Sequence, residues 1–388
     1  MASQPPPEAK LLDKFPDGIS ALQYLPPSSS DDGTKRLLAS TSWDGAIRVH
    51  DTSSEKPSSS RLLLTHNMES GPLLSLAVGV GSSTSETASI ITGGLDGTIK
   101  SFDIATSTVQ SIGFHEIGND SASDGTKTNI TNACSCLSTI GNDANSSNVV
   151  ASASWNRQLC IWDLRQQNSD KASAQAVLPG KAFSMDVDGS RNRIIVATSG
   201  RRTCVYDLRM LKEENAYKLD AVLERESSLK FQTRCIRLFP DGHGFCLGSI
   251  EGRVGVEFLD ALADDRMLAV VEKPKKYAFK CHRDTNSGLV YPVNAIEFHP
   301  KHRQTFATGG CDGTVVLWDG QNKKKLTALP AFPTSISAMC FSPDGTELAI
   351  ASSYTHEEGH RETHPQDEVY IRQILDSEAM PKTASSGK

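Results

Sequence analysis

Lysine and arginine side chains cluster in residues 225–283, where they interrupt alternating strand patterns. This stretch holds 11 Lys and Arg against 8 Asp and Glu, so it carries +3 within a chain whose net charge is −6. The cations at the ends of the strand patterns are Lys230, Arg234, Arg253, Lys280 and Arg283. Guanidinium and ammonium groups bind carboxylates and phosphates. The stretch therefore predicts an anionic partner.

A second candidate for chemistry is the segment His356-Glu357-Glu358-Gly359-His360, which matches the zinc-protease pattern H-E-x-x-H. That chemistry needs a helix, because a helix places both histidines on one face as zinc ligands and leaves the glutamate as general base. Here the segment contains Gly359 and lies between two strand patterns, in a stretch crowded with Glu, Asp and Pro. A loop is therefore expected, and a metalloenzyme is the weakest of the functional hypotheses.

Other catalytic patterns are missing from the sequence. No glycine-rich phosphate loop opens a helix, and no Ser, His and Asp set stands in a catalytic context. The nine cysteines have no regular spacing, and the single C-x-C pair, Cys134 and Cys136, has no second pair at zinc spacing. We expect buried thiols in a reducing compartment, no cofactor, no metal and no enzymatic activity. The net negative charge also argues against direct nucleic-acid binding.

One pattern recurs along the chain: a β-run with small residues, a tight polar turn, a second β-run and a terminal acid. Its copies occupy residues 37–51, 90–103, 150–163, 195–207, 245–260 and 305–319, with a degenerate seventh at 347–374. Asp-Gly at 44–45, 96–97 and 312–313 predicts tight hairpins. A strand pattern precedes most copies and a short run follows, so each unit has four strands. With Trp-Asp at 162–163 and 318–319, this is typical of WD-repeat blades.

The repeats predict an all-β fold, a single seven-bladed WD-repeat β-propeller over residues 8–375. The last copy lacks a fourth strand, while residues 8–14 precede the first blade without a partner. Because an open edge invites aggregation, we expect the N-terminal strand to complete the last blade. Polar segments at 81–87, 118–128 and 141–148 predict mobile loops, and residues 376–388 predict a disordered tail.

The propeller fold brings distant side chains to one face, because the turn between second and third strands and the link between blades emerge together. Side chains predicted to share this face are Arg234, Arg253, Lys280, Trp43, Trp155 and Arg202. Exposed aromatic rings beside guanidinium groups favour a recognition surface. The alternative is that these cations form ion pairs between blades. His66, His115 and His282 precede the first strands of blades, where a structural histidine is expected.

Several long strings resemble the spindle assembly checkpoint propeller family called budding-uninhibited-by-benzimidazole three. They are ESSLKFQTRCIR, SIEGRVGVEFLD, KKYAFKCHR, YPVNAIEFHP, TFATGGCDGTVVLWD and LAIASSY, and the likeness extends from Pro16 to Gln373. The nearest related family is the nuclear-pore messenger-RNA export propeller, which shares SIEGRV, FKCHR and ASSY. Ser227 to Lys230, Gln232 to Arg234 and the Ile371-Arg372-Gln373 ending are similar to the checkpoint family.

The resemblance implies a non-catalytic adaptor, a monomeric propeller in hetero-complexes, in the nucleus and at kinetochores in mitosis, and also in the cytoplasm. Its implied partners are GLEBS segments of a checkpoint kinase and a related checkpoint protein, and phosphorylated Met-Glu-Leu-Thr repeats of the kinetochore scaffold. By motif, Arg234 would hold a GLEBS glutamate, with Trp43, Trp155 and Arg202 on the same face. Arg253 and Lys280 would hold the phosphothreonine. The alternative function is an mRNA export adaptor, and neither function involves a membrane.

Overall fold

The computed structural model describes residues 9–27, 35–53, 61–80, 88–116, 131–141, 148–165, 171–211, 218–259 and 275–381. The predicted mobile loops at 81–87 and 118–128 lie outside these residues, as does 141–148 except for its two ends. No helix in the described residues is long and apolar enough to cross a membrane.

The described residues form seven antiparallel sheets of four strands each. The first sheet holds β2 (Ile19–Tyr24), β3 (Leu37–Ser42), β4 (Ala46–Asp51) and β5 (Leu62–Asn67), and the second holds β6 (Leu73–Val80), β7 (Ala88–Gly94), β8 (Thr98–Asp103) and β9 (Thr108–Phe114). The third holds β10 (Cys134–Ile140), β11 (Val149–Ser154), β12 (Gln158–Asp163) and β13 (Ala174–Val177), and the fourth holds β14 (Ala182–Asp188), β15 (Arg193–Thr198), β16 (Arg202–Asp207) and β17 (Leu223–Glu226). The fifth holds β18 (Thr233–Leu238), β19 (Gly244–Ser249), β20 (Arg253–Phe258) and β21 (Tyr277–Lys280), and the sixth holds β22 (Val293–Phe298), β23 (Thr305–Gly310), β24 (Val315–Asp319) and β25 (Lys324–Ala328). The seventh combines β26 (Ile336–Phe341), β27 (Glu347–Ser352) and β28 (Asp367–Gln373) with β1 (Lys10–Phe15).

The first strands of the sheets contact one another in sequence, and β26 of the last sheet contacts β2 of the first. The sheets therefore form a closed ring of seven blades, each with its first strand at the centre and its fourth at the rim. This confirms the predicted seven-bladed propeller. We call the face where blade-to-blade links and second-to-third-strand turns emerge the upper face.

The N-terminal strand closes the ring. β1 pairs antiparallel with β28, with Lys10 opposite Ile371 and Phe15 opposite Asp367. Leu12 is fully buried and Phe15 is 2% exposed, and both pack with residues of the first and seventh blades. The predicted closure by this segment is confirmed, and its physical basis is burial of apolar side chains together with pairing of the β28 edge.

Second and third strands are hidden between neighbouring blades, which explains their small and branched apolar residues. All six residues of β19, β23 and β27 are buried. Tight Asp-Gly turns join the second and third strands of the first, second and sixth blades, and in the first of these turns Gly45 takes a φ of +80°. A Cβ atom at Gly45 would lie 2.8 Å from the carbonyl oxygen of Gly71, so only glycine fits there.

A single α-helical turn, α1 (Asp376–Ala379), follows the last strand. Glu378 forms an ion pair of 2.8 Å with the buried Arg372, and Ala379 is fully buried. The boundary predicted at residue 375 is therefore too early, because α1 docks against the body of the propeller. Residues 382–388 of the predicted tail lie outside the described residues.

Candidate peptide-binding face

Each first strand carries a β-bulge at its second residue, where the pairing register with the second strand shifts. A bulge leaves one residue unpaired and turns its side chain in a new direction. The seven bulge residues are Ser20, Leu74, Ser135, Phe183, Arg234, Asn294 and Ser337. All seven line one cavity of about 510 Å³ at the centre of the ring. We call it the central cavity.

Arg234 brings a positive charge into this ring of bulge residues. Its Nε and Nη2 atoms donate hydrogen bonds of 3.2 and 3.1 Å to Oδ1 of Asn294, the bulge residue of the next blade. Among the described residues it forms no ion pair with a carboxylate. The guanidinium is therefore oriented by a neutral partner and keeps its charge available for a ligand.

Two tryptophans from distant blades line the same cavity as Arg234. Trp43 lies in the turn between β3 and β4 and is 44% exposed, and Trp155 lies in the equivalent turn between β11 and β12. The backbone N–H of Trp43 donates to Gly18 O at 2.8 Å, which holds this turn against the blade entrance. The structure brings Arg234, Trp43 and Trp155 together at one cavity, as the sequence predicts.

Arg253 and Lys280 stand directly opposite each other on β20 and β21. Opposed residues of an antiparallel pair have Cβ atoms about 5 Å apart on the same side of the sheet, and like charges there destabilise the pair. Nε of Arg253 forms an ion pair of 3.5 Å with Oε1 of Glu251 in the same blade, but it has no hydrogen-bond partner in the described part of the chain. Lys280 makes no ion pair within those residues. We call Arg253 and Lys280 the cation pair.

Arg234 of the central cavity and the cation pair belong to the same blade, the fifth. Thr233 pairs with Ser249, Ser249 with Arg253, and Arg253 with Lys280, so one row crosses the fifth sheet from centre to rim. Arg234 follows Thr233 at the inner end of this row. The fifth blade therefore presents cations at both ends of its upper edge.

Arg202 does not join these groups. It begins β16 on the upper face, but its Nε and Nη2 atoms donate to Glu224 Oε1 at 3.0 and 2.6 Å, and it is not among the residues that line the central cavity. For this side chain the alternative of ion pairing describes the structure better, although the pair lies within one blade. Arg237 forms a pair between blades, with Glu297 at 2.7 Å.

Two of the three predicted structural histidines, His115 and His282, are buried and hydrogen-bonded. His115 Nε2 lies 2.9 Å from Ser152 Oγ, which accepts a bond from Trp162 Nε1, and burial lowers the pKa of His115 to about 4. His282 lies between Thr308 and Asp312, at 2.8 and 2.9 Å. His66 instead stacks on Phe102, with ring centroids 4.6 Å apart.

All nine cysteines are free, and eight of them are buried. Burial raises the pKa of Cys136 to about 11 and that of Cys160 to about 12, so these thiols remain protonated and unreactive near neutral pH. The predicted buried thiols are confirmed.

Comparisons with known proteins agree with this architecture. Residues 274–319, which include most of the sixth blade, match the family model described as WD domain, G-beta repeat. The mitotic checkpoint protein bub3 of Dictyostelium discoideum is 36% identical over 92% of this chain and 92% of that relative. The spindle assembly checkpoint protein bub3 of Schizosaccharomyces pombe is 31% identical over 97% and 98%, respectively.

This chain belongs to the Bub3 family. The family resemblance seen in the sequence is thereby confirmed, and with it a role in the mitotic spindle checkpoint. A poly(A)+ RNA export protein of Schizosaccharomyces pombe is 29% identical over 94% of this chain and 90% of that relative. This export protein is thus less similar to the chain than the two Bub3 proteins are.

Some residues of the Bub3-family cavity were not predicted from the sequence. They are Phe183, Gln232, Asn294, Tyr354, His356 and His364. Two of them, Phe183 and Asn294, occupy the second position of a first strand. Arg234 occupies the same position in its own first strand. An alignment of the seven copies on their first strands would therefore have indicated Phe183 and Asn294 as cavity residues.

The H-E-x-x-H segment forms part of the 353–366 loop, which joins β27 to β28 and contains no helix. Glu357 accepts hydrogen bonds from Ser335 and Thr355, at 2.6 and 2.9 Å. No group of three or more His, Cys, Asp and Glu side chains in the described residues is arranged to hold a metal ion. The zinc-protease hypothesis requires a helix at this segment, and the structure has a loop there instead.

Proposed function

We propose that this Bub3-family chain is a non-enzymatic adaptor that binds two kinds of peptide on its upper face. GLEBS segments of a checkpoint kinase and its related checkpoint protein would bind at the central cavity, with a glutamate on Arg234 and apolar side chains against Trp43 and Trp155. A phosphorylated Met-Glu-Leu-Thr repeat of the kinetochore scaffold would bind at the cation pair. The chain would then act as a monomeric propeller in hetero-complexes, in the nucleus and at kinetochores in mitosis.

The observation that carries the phosphopeptide site is the direct opposition of Arg253 and Lys280 on neighbouring strands. Two cations placed side by side cost stability unless an anion lies between them. A phosphothreonine brings nearly two negative charges and three acceptor oxygens, whereas an unmodified threonine brings neither. Phosphorylation of the scaffold would therefore switch the interaction on.

The test is binding of a phosphorylated and an unphosphorylated Met-Glu-Leu-Thr peptide to the wild-type chain and to the Arg253→Glu/Lys280→Glu variant. We expect the phosphopeptide to bind the wild type at least about a hundredfold more tightly than the variant, since two charge-assisted contacts are lost. Lys324→Glu/Lys325→Glu is the matched control, because it makes the same charge change on exposed residues at the other end of the strands. Retained affinity in the first variant would refute the site.

A second candidate function, mRNA export, is supported by the 29% identity to the poly(A)+ RNA export protein. An export adaptor would co-purify with pore proteins and RNA, whereas a checkpoint adaptor would co-purify with the kinase and the kinetochore scaffold in mitotic cells. Affinity purification from synchronised cells separates the two functions.

A further inference from the structure

The 353–366 loop forms one wall of the central cavity. Tyr354, Thr355, His356 and His364 all line the cavity, together with Asp367 at the start of β28. The three histidines of the loop, His356, His360 and His364, are exposed, but His360 is not a lining residue. A segment that resembled a metal site in the sequence therefore contributes imidazole groups to the peptide-binding face.

The loop is held in one shape by Tyr354, which is only 5% exposed. The ring centroids of His356 and His364 lie 5.1 and 5.5 Å from that of Tyr354, and the Arg361 guanidinium carbon lies 5.2 Å from it. The Tyr354 hydroxyl donates to Gly359 O at 2.9 Å. Both imidazoles are therefore positioned against the same tyrosine.

The base of the loop is anchored to the first blade. Ser353 Oγ accepts a hydrogen bond of 3.0 Å from the backbone N–H of Ile19 and donates one of 2.6 Å to Asp367. Thr355 lies 3.5 Å from Asn294 Nδ2, and Asn294 is the residue that orients Arg234. A chain of polar contacts thus connects the loop to the arginine of the cavity.

The protonation pattern of His364 determines what it offers a ligand. Its Nδ1 lies 2.8 Å from the carbonyl oxygen of Pro365, which only accepts, so Nδ1 carries the proton. In the neutral ring Nε2 is then a lone-pair acceptor and cannot bond a carboxylate. Protonation converts Nε2 into a charged donor.

The net charge of the cavity lining depends on whether the two imidazoles are protonated. The charged residues that line the cavity together with the two imidazoles are Arg234, Asp17 and Asp367, and the loop itself adds Glu357, Glu358, Arg361 and Glu362. Glu358 pairs with Arg361, and Glu357 is satisfied by hydroxyl groups. The lining itself has one arginine and two carboxylates, so it carries one negative charge with neutral imidazoles and one positive charge with both protonated.

We propose that His356 and His364 contact the acidic peptide segment bound in the central cavity and that their protonation strengthens its binding. This inference rests on the proposed function, because it takes the ligand to be a glutamate-bearing segment. Histidine side chains change charge in the range between about pH 5 and 8, whereas ordinary glutamates stay ionised above about pH 5. Affinity for the segment therefore rises as the pH falls from 8 to 6.

The experiment measures the Kd of a synthetic GLEBS peptide at pH 8 and pH 6 for four proteins: wild type, His356→Asn/His364→Gln, His360→Gln and Arg234→Glu. Asparagine is chosen at position 356 because the φ of His356 is 56°, a left-handed conformation that asparagine tolerates. His360→Gln is the matched control in the same loop. Melting temperatures confirm that each variant is folded.

We expect the wild type and His360→Gln to bind about fivefold more tightly at pH 6 than at pH 8, and the His356→Asn/His364→Gln variant to bind equally at both. A wild type without pH dependence, or a double variant that keeps it, would overturn the histidine contact. If the peptide fails to bind the wild type at either pH, or binds Arg234→Glu as well as wild type, the proposed cavity function fails instead.

Discussion

Arg234 shows how the place of a single residue in a strand brings it into a candidate site. As a bulge residue it leaves the regular pairing of β18 and points into the central cavity, and Asn294 fixes its guanidinium with two hydrogen bonds. A guanidinium can give a carboxylate two parallel hydrogen bonds, and an ammonium cannot. The identity of the cation therefore matters as well as its charge.

Arg234→Lys should weaken binding of a GLEBS peptide by about tenfold although the charge is kept, because the paired hydrogen bonds and the contact to Asn294 are lost. Isothermal titration calorimetry measures the change. Arg165→Lys, at an exposed arginine paired with Asp163 away from the cavity, is the control and should bind as wild type does. Equal affinities for both variants would mean that Arg234 acts only as a point charge.

His115 makes the stability of the fold depend on pH. Its folded pKa, about 4, is below the ordinary value of 6.5 because burial disfavours the charged ring. Between these values the unfolded chain binds a proton that the folded chain does not, so stability falls as the pH drops below 6.5. The loss approaches about 3 kcal/mol near pH 4.

We therefore expect the thermal midpoint of the wild type to fall between pH 7 and pH 5, with a shallower fall in His115→Asn, whose stability at pH 7 is already lower. His364→Gln removes an exposed histidine and should keep the wild-type slope. Calorimetric scans at three pH values provide the measurement. An unchanged slope in His115→Asn would show that another group controls the pH dependence.

At the scale of elements, strand positions were predictable because each copy combines alternation of apolar residues with a tight turn. Asp-Gly turns and the terminal acid located β3, β4, β23 and β24, and the missing partner of β28 pointed to β1. The bulges were not predicted, because register is set by pairing between strands and leaves no local signal in one copy. The fold of the 353–366 loop over the cavity depends in the same way on contacts with other blades.

Removal of β1 should open the ring. Deleting residues 1–16 takes away the buried Leu12 and Phe15 and leaves the edge of β28 unpaired, so we expect a much lower melting temperature and self-association. Size-exclusion chromatography and thermal melting measure both effects. Lys10→Ala, at an exposed residue of the same strand, is the control. A synthetic peptide of residues 9–16 added in trans should restore part of the lost stability.

At the scale of the whole molecule, the residues that stabilise the propeller are different from the residues of the candidate peptide-binding face. The sheets bury their second and third strands between blades, and the upper face collects side chains from every first strand and from the turns. The topology of the propeller predicts which side chains lie on the upper face, but it does not predict what each of them contacts. Arg202 is an example. Its place on the face was predictable, but its bond to Glu224 depends on the conformation of two side chains.

The closed ring also predicts that the two proposed peptide sites act independently. Arg234 of the central cavity lies at the inner end of the fifth blade and the cation pair at its rim, and β18 to β21 between them are fixed by continuous pairing. No element between the sites has to move for either one to be filled. Because surface charges several residues apart are screened over about 8 to 10 Å in physiological salt, charge reversal at one site should change affinity at the other by less than about threefold.

Measured in one series, Arg234→Glu should lose the GLEBS peptide and keep the phosphopeptide, and Arg253→Glu/Lys280→Glu should do the opposite. The triple variant should lose both peptides while its melting temperature stays close to that of wild type, because all three side chains are at least partly exposed. Titrating the phosphopeptide in the presence of saturating GLEBS peptide tests the same point without mutation. A change in phosphopeptide affinity of more than about tenfold in that titration would mean that the bound GLEBS segment reaches the cation pair and completes its site.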